Sequence, residues 1–216
     1  AEYRFSVPVA RKKCNFYRKF GPLIREFSEL LGVDKWLFCP MTREVNDINF
    51  AQRKNLDNIA HEIDIMAEKV AEKYKEYGIA EDPYFFVKDN SGTYGMGIII
   101  VRSGKELLEL NSRKRRSMSF GKEKSMINSV IIQEGITTKF RLDGKTAEPI
   151  IYCVNGRDIG GFMRLHDKDD KSNLNTPGAK FDVLLKDNIT RPIIDFISDE
   201  ISVYSVLSRI GCIAIG

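Results

Sequence analysis

The sequence lacks the patterns that mark several common classes of protein. No hydrophobic run approaches the roughly 20 residues that a membrane-spanning helix needs, which excludes a membrane span. The four cysteines and two histidines form neither a C-x-x-C pair nor an H-E-x-x-H motif, so a structural zinc site or a histidine-based metal centre has no support. Four well-separated cysteines are instead typical of reduced, mostly buried thiols in a cytoplasmic protein. The sequence begins with neither an initiator methionine nor a signal sequence, and we expect it to be part of a longer polypeptide.

The composition is that of a packed, soluble protein. Of the 216 residues, 43% are hydrophobic and 30% are charged, whereas a disordered chain would have fewer apolar residues and a larger net charge. The formal net charge of +4 is too small to require a polyanionic partner, although a local basic patch is compatible with it.

The first 81 residues are predicted to be a helical region. Apolar residues recur at spacings of three or four between residues 50 and 77, which indicates one face of a long amphipathic helix. Asn49 with Gln52 resembles a helix-capping arrangement, and Gly78 is well placed to end the helix. A shorter helix is predicted over residues 22–31.

Residues 82–216 are predicted to be an α+β region with antiparallel hairpins. The dipeptide Asn155-Gly156 is the strongest turn signal in the chain and predicts a hairpin. Ser103 and Glu106 form a capping box that predicts a short helix, and a closing helix is expected over residues 195–213. The predicted strands are 84–88, 97–102, 129–134, 139–142, 149–154 and 158–166.

A glycine-rich loop between two of these strands is the most informative segment. Lys88 ends an apolar strand, and Gly92, Gly95 and Gly97 follow before a second apolar strand begins. Glycines let several backbone N–H groups converge on one anion, and a lysine adds a positive charge beside them. The segment therefore resembles a phosphate-binding hairpin, although an ordinary glycine-rich hairpin is the alternative. Its glycine order and the strand after it differ from the Rossmann and Walker A motifs.

Polar residues at the ends of later strands extend this pattern. Gln133 and Glu134 end a buried strand, as at an adenine-binding hinge or at a strand that simply reaches solvent. Arg164 ends another strand that contains two glycines, where it faces either a ligand or solvent. Asn173 and Asn175 follow in a polar loop, where their amides are candidate metal or phosphate ligands or parts of Asx turns.

As an ordered set, these motifs resemble one bacterial family of glutamate–cysteine ligases, which has an ATP-grasp type of architecture. The similarity runs from about Trp36 to the C-terminus. The motifs that carry it are Val87-Lys88, Gly92-Thr93-Tyr94-Gly95-Met96-Gly97-Ile98, Gln133-Glu134-Gly135, Ala147-Glu148-Pro149, Gly160-Gly161-Phe162-x-Arg164 and Asn173-Leu174-Asn175-x-Pro177-Gly178.

The resemblance implies ATP- and Mg²⁺-dependent joining of the γ-carboxyl of L-glutamate to the amine of L-cysteine, the first step of glutathione biosynthesis. The implied path is phosphorylation of the carboxylate to an acyl phosphate, followed by attack of the amine. Lys88 and Arg164 would be catalytic, with Lys88 on the α- and β-phosphates and Arg164 on the transferred phosphoryl group. The implied ATP-binding residues are Lys88, Gly95, Met96, Gly97, Gln133, Glu134, Asn173 and Asn175.

The sequence also departs from the family pattern. Family members are considerably longer, so part of the amino-acid site is expected to lie in an absent N-terminal portion. Asn90 stands where the family is expected to have an acid, and no acid-x-Asn metal signature follows Asn175. The candidate metal ligands are therefore Glu148, Asn175 and Asp47, although the Asp47–Asn49 segment competes with the helix-cap interpretation.

Two other functions remain open at this level. A different ATP-grasp carboxylate–amine ligase would share every motif that touches ATP. A nucleic-acid-binding module would use the basic run over residues 113–124, although the small net charge makes this the less favoured interpretation. Cytoplasmic localisation is expected, and the sequence leaves open whether the chain forms a homo-oligomer.

Overall fold

The chain has an α+β fold with antiparallel sheets, as predicted. The computed structural model describes residues 12–92, 96–121, 125–138, 141–142, 145–166, 180–183 and 199–215. The helices are α1 (Lys13–Leu31), α2 (Leu56–Glu76), α3 (Gly104–Leu108), α4 (Ser112–Ser117) and α5 (Asp199–Ile215), with a 3₁₀ turn at Lys35–Leu37. The strands are β1 (Thr42–Asn46), β2 (Phe85–Asp89), β3 (Ile98–Val101), β4 (Ser129–Glu134), β5 (Arg141–Leu142), β6 (Lys145–Val154), β7 (Arg157–His166) and β8 (Lys180–Val183).

The first sheet has the strand order β1-β4-β2-β3, and all of its neighbours are antiparallel. β4 is an inner strand and carries the apolar run Val130, Ile131 and Ile132, each almost fully buried. Helix α2 contributes its predicted apolar face to the same core, with Leu56 and Ile63 among its buried residues. This core supports β2 and β4, the strands that carry Lys88, Gln133 and Glu134.

The end of α2 agrees with the prediction, but its beginning does not. Gly78 has φ +63°, and the N–H of Ile79 donates to the carbonyl of Tyr74 at 2.8 Å, as in a Schellman motif. The helix begins at Leu56, later than predicted, because Asn49 caps a preceding turn by accepting from the N–H of Gln52 at 2.9 Å.

The prediction that the first 81 residues are helical is wrong for Thr42–Asn46, which form β1 and pair with β4. Of these five residues only Val45 is buried, so the sequence shows no alternation that would indicate a strand. β1 lies at the edge of its sheet, where charged side chains are common. Helix α1 also begins earlier than predicted, at Lys13, and includes Pro22.

The second sheet has the strand order β5-β6-β7-β8. The hairpin between β6 and β7 turns at Asn155 (φ +50°) and Gly156 (φ +72°), which confirms the turn prediction. Helix α5 packs on this sheet, where Arg209 forms an ion pair with Asp158 at 2.5 Å.

The chain divides into two compact units, one formed by residues up to Arg18 with Pro40–Gly135, the other by Lys19–Cys39 with residues from Ile136 onward. These limits differ from the predicted boundary at residue 82, and the functional division into 1–81 and 82–216 stays a prediction. Only Cys14 is buried among the four cysteines, so the prediction of mostly buried thiols is wrong. Within the described ranges, no helix combines the length and hydrophobicity that crossing a bilayer would require.

The contact between α2 and α3 requires a glycine at position 104. A Cβ there would lie 2.4 Å from the carbonyl oxygen of Ala60, and backbone cannot yield as a flexible side chain can. We expect Gly104→Ala to lower the free energy of unfolding by about 1–3 kcal/mol in urea denaturation. Lys105→Ala, on the exposed side of the same helix, is the control and should change it by less than about 0.5 kcal/mol. Equal stability of the two variants would contradict the close approach.

Candidate active site

The glycine-rich loop connects β2 and β3, and a hydrogen bond joins the first and last residues of the loop. The N–H of Asp89 donates to the carbonyl of Gly97 at 2.7 Å, which joins the two ends of the loop. Gly97 has φ +63°, and a Cβ there would lie 2.9 Å from Cδ1 of Ile127 and 3.0 Å from Cβ of Asp89. Both the backbone angle and the close contacts therefore favour glycine.

Lys88 lies on the face of the sheet that also carries Phe86 and Gln133. Phe86 on β2 is directly opposite Gln133 on β4, and Lys88 is two residues further along β2. The Lys88 ammonium donates to Oε1 of Gln133 at 2.7 Å and lies 4.5 Å from the centre of the Phe86 ring. Nε2 of Gln133 in turn donates to the hydroxyl of Tyr17 at 3.0 Å. This chain of contacts fixes the position of the ammonium group.

The surroundings of Lys88 lower its pKa from 10.5 to about 8. Burial is the main cause, because it disfavours the charged form, and the positive charge of Lys13 acts in the same direction. Among the described residues, no carboxylate forms an ion pair with Lys88 to offset the burial. An anionic ligand would therefore stabilise the protonated lysine.

Lys13 is a second cation at this loop, and the sequence did not indicate it. Its ammonium donates to the carbonyl of Asp89 at 2.7 Å and also contacts the carbonyl of Gly92. Burial lowers the pKa of Lys13, and the charge of Asp89 partly opposes this effect. Because 76 residues separate the bonded groups, no local motif could reveal the contact.

Asn90, which stands where the family is expected to have an acid, forms hydrogen bonds that join distant parts of the fold. Its side chain is fully buried, and Oδ1 accepts from the N–H of Cys14 at 3.0 Å, which anchors the start of α1. Nδ2 lies 2.9 Å from both Oε1 of Glu44 and Oγ of Ser129. A neutral amide can satisfy a donor and acceptors at once, whereas a carboxylate can only accept.

Glu134 also has contacts within the fold. It is 3% exposed, and Oε2 accepts from the N–H of Met41 at 2.9 Å. The backbone N–H of Glu134 donates to the carbonyl of Met41 at 2.9 Å, so the end of β4 is tied to the segment before β1. Burial raises the pKa of the nearby Tyr74 to about 12, and the negative charge of Glu134 adds to this shift. Contact of Glu134 with a nucleoside stays a prediction.

Arg164 and Glu148 face each other in the second unit. They are directly opposite on β7 and β6, and their side chains form an ion pair. Both side chains are largely buried, and burial lowers the pKa of Arg164. Arg164 belongs to one compact unit and Lys88 to the other. That the two act on one phosphoryl group stays a prediction.

The remaining predicted ligands do not form a metal centre in the described parts of the chain. Asp47 is exposed and pairs with Lys54 at 2.5 Å. Met96, a predicted ATP-binding residue within the glycine-rich loop, is 43% exposed. Gly95, Asn173 and Asn175 lie outside the described residues. Within the described ranges, no three histidine, cysteine or acidic side chains lie close enough together to hold a metal ion.

The comparison with known families matches almost the whole chain. A model of the family GshA, glutamate-cysteine ligase, matches residues 8–216. The chain belongs to the glutamate–cysteine ligase family. This confirms the resemblance that the glycine-rich hairpin and the later motifs indicated.

This family member is similar to a solved structure, that of a candidate gamma-glutamylcysteine synthetase from Methylobacillus flagellatus KT. The two share 30% sequence identity with a TM-score of 0.79, and the alignment covers 95% of this chain. It covers 50% of the other chain, so this ligase-family chain spans half the length of that relative. A comparison with curated protein sequences gave no match.

The buried amide of Asn90 leads to a pH-dependent prediction for this member of the ligase family. In Asn90→Asp, the introduced carboxylate would face Glu44 in a buried position, so its pKa would lie above the unfolded value of about 4. The folded state then binds more protons, and stability falls as the pH rises above about 4. We expect a loss of about 2–4 kcal/mol at pH 7 and a smaller loss at pH 4, measured by urea denaturation.

The matched control is Asn111→Asp, because Asn111 is an exposed N-cap whose side-chain oxygen accepts from the N–H of Lys114 at 2.9 Å. Aspartate preserves that bond, so this variant should remain close to wild type at both pH values. A pH-independent loss in Asn90→Asp would contradict the proposed repulsion.

The lowered pKa of Lys88 is directly measurable. In NMR titration of ¹³C-labelled lysine, one resonance that is absent in Lys88→Met should titrate near pH 8. Since the unfolded state binds more protons between about pH 8 and 10.5, Lys88 should make the free energy of unfolding rise across that range. This rise should be smaller in Lys88→Met. A Lys88 resonance that titrates near 10.5 would contradict the burial of the ammonium group.

Proposed function

We propose that this chain supplies the ATP-handling portion of a ligase that joins the γ-carboxyl of L-glutamate to the amine of L-cysteine. The observation that carries the proposal is the family match over residues 8–216. The partly buried ammonium of Lys88 beside a glycine-rich hairpin supports it, because a lysine charge next to such a loop is suited to binding a phosphate chain. The two antiparallel sheets are compatible with an ATP-grasp architecture, which is also part of the proposal.

The proposed reaction has two covalent steps. A γ-carboxylate oxygen of glutamate attacks the γ-phosphorus of ATP, the bond from that phosphorus to the bridging oxygen breaks, and ADP leaves. The amine of cysteine then attacks the acyl carbon of the γ-glutamyl phosphate, inorganic phosphate leaves, and the nitrogen loses a proton. The protein must hold the phosphate chain and stabilise the charge that develops on the phosphoryl oxygens.

Lys88 is proposed to bind the α- and β-phosphates. Its ammonium is oriented by Gln133, which is itself held by Tyr17, so little reorganisation would be needed on binding. Arrival of the phosphates would raise the pKa of Lys88 and keep it protonated. Gln133 would then act through Lys88 as a positioning residue, in addition to its proposed nucleoside contact.

Arg164 is proposed to stabilise the transferred phosphoryl group. Its ion pair with Glu148 holds the guanidinium in place on β7. A guanidinium has several donors in a planar fork, so it can contact a phosphoryl oxygen while part of it remains bonded to a carboxylate. Glu148 would then be a positioning residue for Arg164.

The requirement for Mg²⁺ comes from the resemblance alone. Of the candidate ligands, Glu148 pairs with Arg164, Asp47 pairs with Lys54, and Asn175 lies outside the described residues. The described residues therefore do not fit a magnesium site, and we derive no step of the reaction from it.

The two proposed catalytic residues can be tested by substitution. We expect Lys88→Ala and Arg164→Ala each to lower kcat by about 10²–10³-fold, because each removes a charge that stabilises the transferring phosphate. The exposed residues Lys69 and Arg157 provide matched controls, and alanine at either should leave kcat near wild type. Wild-type turnover in Lys88→Ala or Arg164→Ala would contradict the assigned role.

The reaction itself is tested by ADP release from the longest polypeptide that carries this chain. The assay contains ATP, magnesium and glutamate, with cysteine or another amine as the acceptor. Release that depends on cysteine would support the proposed ligase. Release that depends on a different amine would instead identify another carboxylate–amine ligase, with the same ATP-handling residues.

A further inference from the structure

A cavity of about 560 Å³ lies beside α4, and none of its lining residues is among those assigned to ATP by the family resemblance. Every residue that lines it belongs to the compact unit that contains β1–β4. The volume is within the usual range for small-molecule sites, about 300–1,000 Å³. The lining residues are Ala51, Ser112, Arg113, Arg115, Arg116, Ser119 and Phe120.

The charge of this cavity is one-sided. Its lining includes three arginines, and its other residues are neutral. Arg113 and Arg116 are three residues apart and therefore share a face of α4, where like charges repel each other. Within the described ranges, neither of them forms an ion pair with a carboxylate. A bound anion would relieve this repulsion.

Arg115 differs from the other two arginines because a contact within the fold accounts for the position of its side chain. Its guanidinium contacts the carbonyl of Leu110, just beyond the end of α3, where a positive charge is favourable. No comparable contact accounts for Arg113 and Arg116 within the described part of the chain. These two side chains are exposed and available to a ligand.

Phe120 adds an aromatic surface to the same cavity. It is 51% exposed, which is costly for a large apolar ring unless a ligand covers it. Aromatic rings bind nucleobases by stacking, and guanidinium groups bind phosphate oxygens by paired hydrogen bonds. The two kinds of group in one cavity match the two ends of a nucleotide.

We propose that this cavity binds a nucleoside phosphate, with its phosphates on Arg113 and Arg116 and its base on Phe120. The limited volume favours a mononucleotide over a nucleic-acid strand, which would follow an extended groove. The lining includes none of the residues proposed around Lys88, and the proposal does not depend on the ligase activity.

ATP binding is measured by isothermal titration calorimetry in a Lys88→Ala background, so that the cavity is observed without the proposed active site. We expect one equivalent of ATP to bind, and Arg113→Gln with Arg116→Gln to weaken binding at least tenfold. Arg115 is left unchanged because it contacts Leu110. The matched control is Lys69→Gln with Lys75→Gln, which removes the same charge from exposed positions on α2 and should not alter the affinity.

Two further probes separate the contributions of phosphate and base. Phe120→Ala should weaken ATP binding about tenfold and should leave tripolyphosphate binding nearly unchanged, because tripolyphosphate has no ring to stack. Adenosine should bind only weakly, since it lacks the phosphates. Unchanged ATP affinity in Phe120→Ala would overturn the assignment of the base to this ring.

The outcomes also distinguish this proposal from the proposed function. If Lys88→Ala abolishes all ATP binding, or if the arginine and control pairs have equal effects, the cavity proposal is overturned while the ligase proposal stands. If Lys88→Ala binds ATP as the wild-type protein does, and Arg113→Gln with Arg116→Gln abolishes that binding, the cavity proposal stands. The proposed role of Lys88 in ATP binding is then contradicted. Binding of a single-stranded RNA oligonucleotide but not of ATP would also overturn the proposal.

Discussion

The partial burial of one ammonium group is the constraint around which the candidate site is arranged. Lys88 has a neutral amide and an aromatic ring as its neighbours, and its hydrogen bond to Gln133 does not supply the negative charge that a buried cation favours. The protein tolerates this cost because Lys88 lies on a sheet whose opposite face packs on a large core. A phosphate chain would supply the missing charge, and under the proposed function this arrangement would need little reorganisation on binding.

The rest of this unit holds that site in place through contacts between distant parts of the chain. β4 lies between β1 and β2, and it presents Gln133 to Lys88 while its end is tied to Met41 through Glu134. The amide of Asn90 binds the start of α1 to the glycine-rich loop. A neutral residue is needed at this position because Glu44 already provides a carboxylate nearby. The departure from the expected acid is therefore explained by packing.

Local patterns in the sequence predicted much of the fold. The features that were not predicted depend mainly on contacts between residues distant in the sequence. The limits of β4, the turn at Asn155-Gly156 and the apolar face of α2 are determined by neighbouring residues, and all three predictions are confirmed. β1 was missed because an edge strand with one buried residue has no hydrophobic alternation. Lys13 and Tyr17 were missed because their partners lie 76 and 116 residues away in the sequence. The Glu148–Arg164 pair depends on the register between β6 and β7, and motifs identified along the sequence do not give that register.

The central claim is that the Lys88 hairpin handles ATP for transfer of a phosphoryl group to the carboxylate of glutamate. Glutamate labelled with ¹⁸O in its γ-carboxyl group tests this directly, because an acyl phosphate leaves one carboxyl oxygen on the phosphate that is released. With ATP and cysteine present, the account predicts one labelled oxygen in inorganic phosphate for each peptide bond formed, detected by mass spectrometry. Label that appears in AMP, or phosphate that remains unlabelled while peptide forms, would contradict it.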